Sequence, residues 1–215
     1  MTLGFWQLGR ADEKRALMAR YEAGAATTVE LDAANAATLP RYQQIRVRGH
    51  YDSQRQILLD NMPSERGRPG YRVVTPLELR SGGWILVDRG WVAPGATRSA
   101  LPEVRVGEDD RTITGRLDEV PRAGLTLEQA PVDTSAPWPR VMNYPSHDAI
   151  GQALNVRLLS GLVLLDPQQA DGYERSNTVR LPSGPERHIA YAAQWFAFAV
   201  AAIVIYMIVS LRRKE

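Results

Sequence analysis

Residues 189–211 read IAYAAQWFAFAVAAIVIYMIVSL, a run of 23 positions without a formal charge. At a 1.5 Å rise such a helix is about 35 Å long, enough to cross a hydrocarbon core of about 30 Å with some tilt. Gln194 and Ser210 are its most polar members, so it lacks the polar face of a soluble amphipathic helix. Tyr191 and Trp195 lie near one end and Tyr206 near the other, where interfacial aromatics belong. The pattern predicts a transmembrane helix over 188–211 and a tail over 212–215. Arg212, Arg213 and Lys214 place that tail in the cytoplasm by the positive-inside rule, and everything before the span on the outer side, the periplasm of a bacterium.

An exported domain of that size needs an N-terminal signal or anchor. MTLGFWQLGR (1–10) is too short for a signal-peptide core and lacks a cationic start. It does read as the last turns of a membrane helix, with Phe5 and Trp6 at the interface and Arg10 outside. The expectation is therefore that 1–10 is the end of a first transmembrane helix truncated by the given start, and that residues 11–187 are the extramembrane domain.

The composition bounds the chemistry. The chain has 215 residues, 44% apolar and 23% charged, which excludes a disordered or collagen-like chain and a polytopic transporter. With no Cys, disulfide frameworks, thiolate zinc sites and thiol catalysis are all excluded. His50, His147 and His188 lie far apart, without the close pairs of a His-rich metal site. A net charge of +2, from 24 Arg and 2 Lys against 24 acids, asks for no nucleic acid.

Working back from the span, the periodicity first suggests a helix over 7–23, with Leu17, Met18 and Tyr21 on one face and Gly24 as its stop. A short helix over 30–37 is expected next. Period two then begins: Ile45, Val47 and Tyr51 alternate with Arg46, Arg48 and His50, the mark of a half-buried strand. Asp52-Ser53-Gln54 reads as a turn and 55–60 as its hairpin partner, followed by an exposed loop over 61–70. Strands are expected at 71–79 and 84–92, joined around Ser81-Gly82-Gly83, and at 112–117. Residues 157–166 (RLLSGLVLLD) are apolar on both faces and read as a central, doubly covered strand. The Pro-rich stretch 121–145 precedes a helix near 147–154 with Ser146 as N-cap. Together these predict a membrane-anchored α+β protein, its β-rich extramembrane domain an antiparallel barrel or sandwich with a few helices.

In the strand 84–91, Arg89 falls on the same face as Ile85, Val87 and Trp91. An Arg among apolar neighbours needs a carboxylate or an aromatic ring, and Trp91 is positioned to supply one. Arg89 either forms a recognition surface or is an internal residue fixing strand order, and the second is the expectation. No Ser-His-Asp order, phosphate-cradling glycine loop or paired carboxylates stand out, which argues against an enzyme, a membrane-tethered hydrolase included. Asp109-Asp110 reads as solvated, Gly82-Gly83 as a turn, and His50 and His147 as surface residues.

His188 differs because it stands at the outer mouth of the span. On a helical wheel it shares a face with Tyr191, Trp195, Phe198 and Ala202. An imidazole above an aromatic wall suits an axial haem ligand at the membrane edge, with His188 on the iron and Tyr191 and Trp195 against the macrocycle. The same cluster also suits a plain interfacial belt. Around the helix, Ala193, Ala197 and Ala201 form a stripe that would let another helix approach closely.

LGFWQLGRADEKR (3–15), RGHYD (48–52), YRVVTPLELRSGGWILVDRGWV (71–92) and RHIAYAAQWFAFA (187–199) together resemble the Surfeit locus 1 (SURF1) family over nearly the full length. The resemblance implies two membrane spans around an extramembrane domain, in a bacterial inner membrane protein. It also implies a non-enzymatic role in assembling haem-copper terminal oxidases such as cytochrome c oxidase. Bacterial members are associated with haem A and with its delivery to oxidase subunit I, so haem A, subunit I and the haem A synthesis machinery are the implied cofactor and partners. The family's haem-associated histidine near the start of the last span matches His188, with Trp6 a further candidate for packing on the macrocycle. The alternative is a haem-independent scaffold that stabilises a nascent oxidase subunit through the strand bearing Arg89 and Trp91.

Overall fold

A computed structural model describes residues 2–97, 100–122, 136–176 and 184–213. In chain order its elements are α1 (Thr2–Gly24), β1 (Thr28–Glu30), β2 (Gln44–Tyr51), β3 (Ile57–Leu59), β4 (Tyr71–Leu79), β5 (Trp84–Val92), β6 (Arg111–Asp118), β7 (Arg140–Met142), α2 (His147–Leu154), β8 (Leu158–Leu165) and α3 (Pro185–Arg212). The chain divides into two compact units. One is Gly24–Asn177; the other joins Met1–Ala23 to Thr178–Glu215. Much of the Pro-rich stretch (123–135), and Lys214 beyond α3, lie outside the described residues.

The Gly24–Asn177 unit is built on a closed five-stranded barrel. β4 and β5 form the antiparallel hairpin expected around Gly82 and Gly83, both at positive φ (90° and 84°) where a side chain would be strained. β6 then returns to lie beside β2, so β6, β2, β4 and β5 make a Greek key. β8 closes the ring between β6 and β5. The closure is not wholly antiparallel as expected, because β5 and β8 run parallel, reached through the crossover that carries α2. Ser146 caps α2 as the sequence predicts, its Oγ accepting from the Ala149 N–H at 3.1 Å.

Side-chain alternation fills the barrel. Ile45, Val47 and Tyr51 of β2, Leu77 and Leu79 of β4, Ile85 and Val87 of β5, Ile113 and Leu117 of β6, and Val163 and Leu165 of β8 form one buried cluster. A second cluster lies outside, where Ile150, Ala153 and Leu154 of α2 cover Leu86 of β5 and Leu162 of β8. Both faces of β5 are therefore covered, and it shows an unbroken buried run where β2 keeps strict alternation.

Two local expectations are corrected. Residues 30–37 contain no helix: β1 ends at Glu30, and Asp32 Oδ1 accepts from the Ala34 and Asn35 N–H groups (2.8 and 2.9 Å). Such side-chain acceptors compete with the helical ladder and set a turn. Nor is 55–60 the hairpin partner of β2. The short β3 pairs instead with β4 and, in parallel, with β7, while β2 lies against β6, β4 and β1. Pro76 falls where β4 changes partner from β3 to β2, a position with no ladder donor to lose.

In the other unit, α1 is one continuous helix from Thr2 to Gly24, containing both residues 2–10 of the expected first-span end and the helix expected over 7–23. α3 is the described helix long and apolar enough to cross a membrane, and nearly all of its apolar stretch is exposed.

Candidate functional site

α3 meets α1 through small residues. Gly4 and Ala11 of α1 and Ala192 of α3 are buried, and the Phe196 ring lies over Gly4 so closely that an added Cβ would come within 2.7 Å of it. Phe5 packs edge-on against Phe196, with ring centroids 5.2 Å apart. The contact face of α3 is thus the one carrying Ala192 and Phe196. The stripe Ala193, Ala197 and Ala201, expected to receive a neighbouring helix, is exposed instead.

His188 stands at the edge of this contact, and its Nδ1 lies 2.7 Å from Oε1 of Gln7 on α1. An amide oxygen can only accept, so Nδ1 is the donor and the neutral ring carries its lone pair on Nε2. Tyr191, Trp195 and Phe198 follow His188 within a roughly 80° arc of the same helix, taking 100° per residue. Tyr191 is 42% exposed and Trp195 40%, and Trp195 meets Phe198 edge-on at 6.1 Å. The Arg187 guanidinium lies 6.0 Å from the Tyr191 ring. Trp6 is exposed on α1. His188 therefore sits at a seam, with α1 on one side of its helix and an open aromatic strip on the other.

Such a donor set fits a haem. A neutral imidazole whose Nδ1–H is held by an oxygen acceptor is the common arrangement of a histidine metal ligand, and flat exposed aromatics suit a macrocycle. The sequence reading found the histidine and the strip but not Gln7, which is 181 positions away and looks like one more helix former in LGFWQLGR. The only local signal was an uncharged polar residue beside Phe5 and Trp6 in an apolar run.

The second concentration of chemistry is at one end of the barrel. Arg89 is only 1% exposed, and among the described residues its guanidinium is held by hydrogen bonds. It donates to the carbonyl oxygens of Asp171 (2.7 Å), Val104 (3.0 Å) and Arg105 (3.1 Å), and to Gln56 Oε1 (2.8 Å). Tyr173 and Tyr51 flank it at 5.1 and 5.7 Å. Burial pulls the guanidinium below its ordinary value, opposed by Tyr173, Tyr51 and Asp171. Arg89 is thus internal, as expected, and it offers no recognition surface. The aromatic partner predicted for it is corrected: Trp91 donates its Nε1–H to the Met62 carbonyl (3.0 Å) and receives Arg68 over its ring (4.9 Å). Beside Arg89, burial pushes the Tyr51 phenol up to about 12, with Arg89 and Arg111 pulling the other way.

The remaining candidates are structural. His50 pairs across strands with Glu78 (3.1 Å) in an exposed position, and His147 Nε2 lies 3.0 Å from the Leu159 carbonyl. Asp110 pairs with Arg80, and Arg111 with Asp171. Among the described residues, no group of three His, Cys, Asp or Glu could hold a metal ion.

Comparison with known proteins places these features in context. Residues 1–200 match the model of the SURF1 family. A SURF1-like protein of Rickettsia felis is 27% identical over 221 residues, covering 97% of this chain and 90% of that protein. SURF1-like proteins of Rickettsia conorii and Rickettsia bellii are 26% and 25% identical, each covering 97% of this chain and 85% of the relative.

Proposed function

Because this chain belongs to the SURF1 family, we propose that it is a membrane-anchored assembly factor that binds haem A at His188 and helps its insertion into subunit I of a haem-copper terminal oxidase. SURF1 is a family of assembly factors rather than enzymes, and membership supports a role in oxidase assembly in general. The finer reading is supported by one observation above all: His188 Nδ1 engages Gln7 Oε1, and a ring held that way carries its lone pair on Nε2.

When bound, haem would supply an iron that can accept an imidazole nitrogen, together with a flat apolar ring. The chain's own contribution is placement. His188 would hold the iron, Tyr191 and Trp195 would pack on the macrocycle, and Trp6 would add apolar surface. Their exposure suits a site that takes up its cargo from the haem A synthesis machinery and releases it to subunit I, rather than one that retains it. α3 would anchor the protein in the bacterial inner membrane. As the family's two-span plan implies, the protein would be multi-pass, with the barrel in the periplasm, His188 at the outer interface and the C-terminus in the cytoplasm.

The test is the optical spectrum of the detergent-solubilised chain purified from a haem A-producing host. The wild type should carry haem absorbance, and His188→Ala should lose it while keeping its circular dichroism. A folded His188→Ala with the full haem spectrum would remove the ligand assignment.

A further inference from the structure

The contact between Gln7 and His188 joins the two helices at the one imidazole of the helical pair, and its chemistry is directional. Histidine in water is a mixture of two neutral tautomers, and only one of them leaves Nε2 able to bind a metal. A fixed acceptor opposite Nδ1 selects that tautomer and also holds the ring plane, since a 2.7 Å contact tolerates little rotation. Gln7 is itself held in place. It lies between Gly4 and Ala11, the two buried positions of α1, so its reach is set by the closest-packed part of the helix.

We infer that Gln7 is a positioning residue: its side-chain oxygen holds His188 as the Nδ1–H tautomer and so presents Nε2 as the metal-binding atom. This rests on the haem reading for the purpose of the imidazole, but not for the tautomer, which is a property of the chain without any ligand. The two apolar flanks make an amide the suitable acceptor here. A carboxylate would serve the same bond but would carry a charge at the edge of an apolar segment, which is costly.

Nitrogen NMR of the full chain in detergent, labelled at histidine and kept alkaline enough for neutral imidazole, reads the tautomer directly. The three histidines are assigned by single replacement. His188 should show a protonated Nδ1 and an unprotonated Nε2, and Gln7→Leu should shift it toward the Nε2–H form that predominates in free histidine. A wild-type His188 already protonated on Nε2 would overturn the proposal, whatever the protein binds. In parallel, hemin is titrated into the same proteins. Gln7→Leu should weaken the His188-dependent spectral change by about tenfold or more, and Gln7→Glu, which keeps an acceptor, should restore most of it. Equal hemin binding by Gln7→Leu and wild type would overturn the positioning role. A titration unaffected by His188→Ala would instead overturn the haem reading, and the nitrogen spectra keep that failure distinct from a failed tautomer assignment.

Discussion

Tyr51 and Arg89 face each other at the end of the barrel, and burial disfavours the charged form of each. The phenol is 1% exposed and its pKa is raised to about 12, above the ordinary value of about 10. A raised pKa means that the fold prefers the protonated form. Tyr51 therefore contributes stability that is fully present below about pH 10 and is lost as the pH rises through about 12. The loss amounts to about 3 kcal/mol at about 1.4 kcal/mol per unit. Denaturant unfolding of the solubilised chain between pH 9 and 12 should show this decline, and Tyr51→Phe should lack that part of it. Parallel decline in both proteins would mean that Tyr51 is not the buried phenol described. At this scale the sequence was a good guide to Arg89, because an Arg in an apolar alternation can only be an internal donor or a surface one. Its partners were not legible. Three of them are main-chain oxygens of residues 104, 105 and 171, which no side-chain code announces, and another, Gln56, is 33 positions away.

Among the elements, those with strong local signals were readable and those defined by distant partners were not. β4, β5, β6 and α2 follow from alternation, a glycine turn and a serine cap, all of which act within a few residues. β3 and β7 are three residues each and are defined by distant partners, β7 by β3 and β3 also by β4, so neither has a period to read. The helix expected over 30–37 lost to the Asp32 side chain, a competition that propensity alone does not register. β5 also acts as a tether: through Arg89 it fixes the chain at 104–105 and at 171, two segments with no ladder of their own at those positions. Arg89→Met would strand several buried carbonyls, and the expected cost is at least about 3 kcal/mol in chemical denaturation. A cost below about 1 kcal/mol would show that the loops hold their places without it.

For the whole molecule, the division of labour follows the two units. The barrel buries its apolar surface internally, while the helical unit leaves Phe198, Ile205, Tyr206 and Leu211 exposed along α3, a surface that suits lipid. The long apolar helix was legible from composition alone, as was the aromatic strip that begins at His188. The Gln7 contact was not, because it joins the first helix to the last and depends on how they pack. The proposed function depends on His188 lying at the outer end of a lipid-embedded α3. Protease treatment of intact spheroplasts carrying a C-terminally tagged chain tests this directly. The account predicts that external protease digests the barrel and leaves the tag protected. A barrel left whole beside a tag cleaved from outside would reverse the polarity and contradict the assignment of His188 to the periplasmic face.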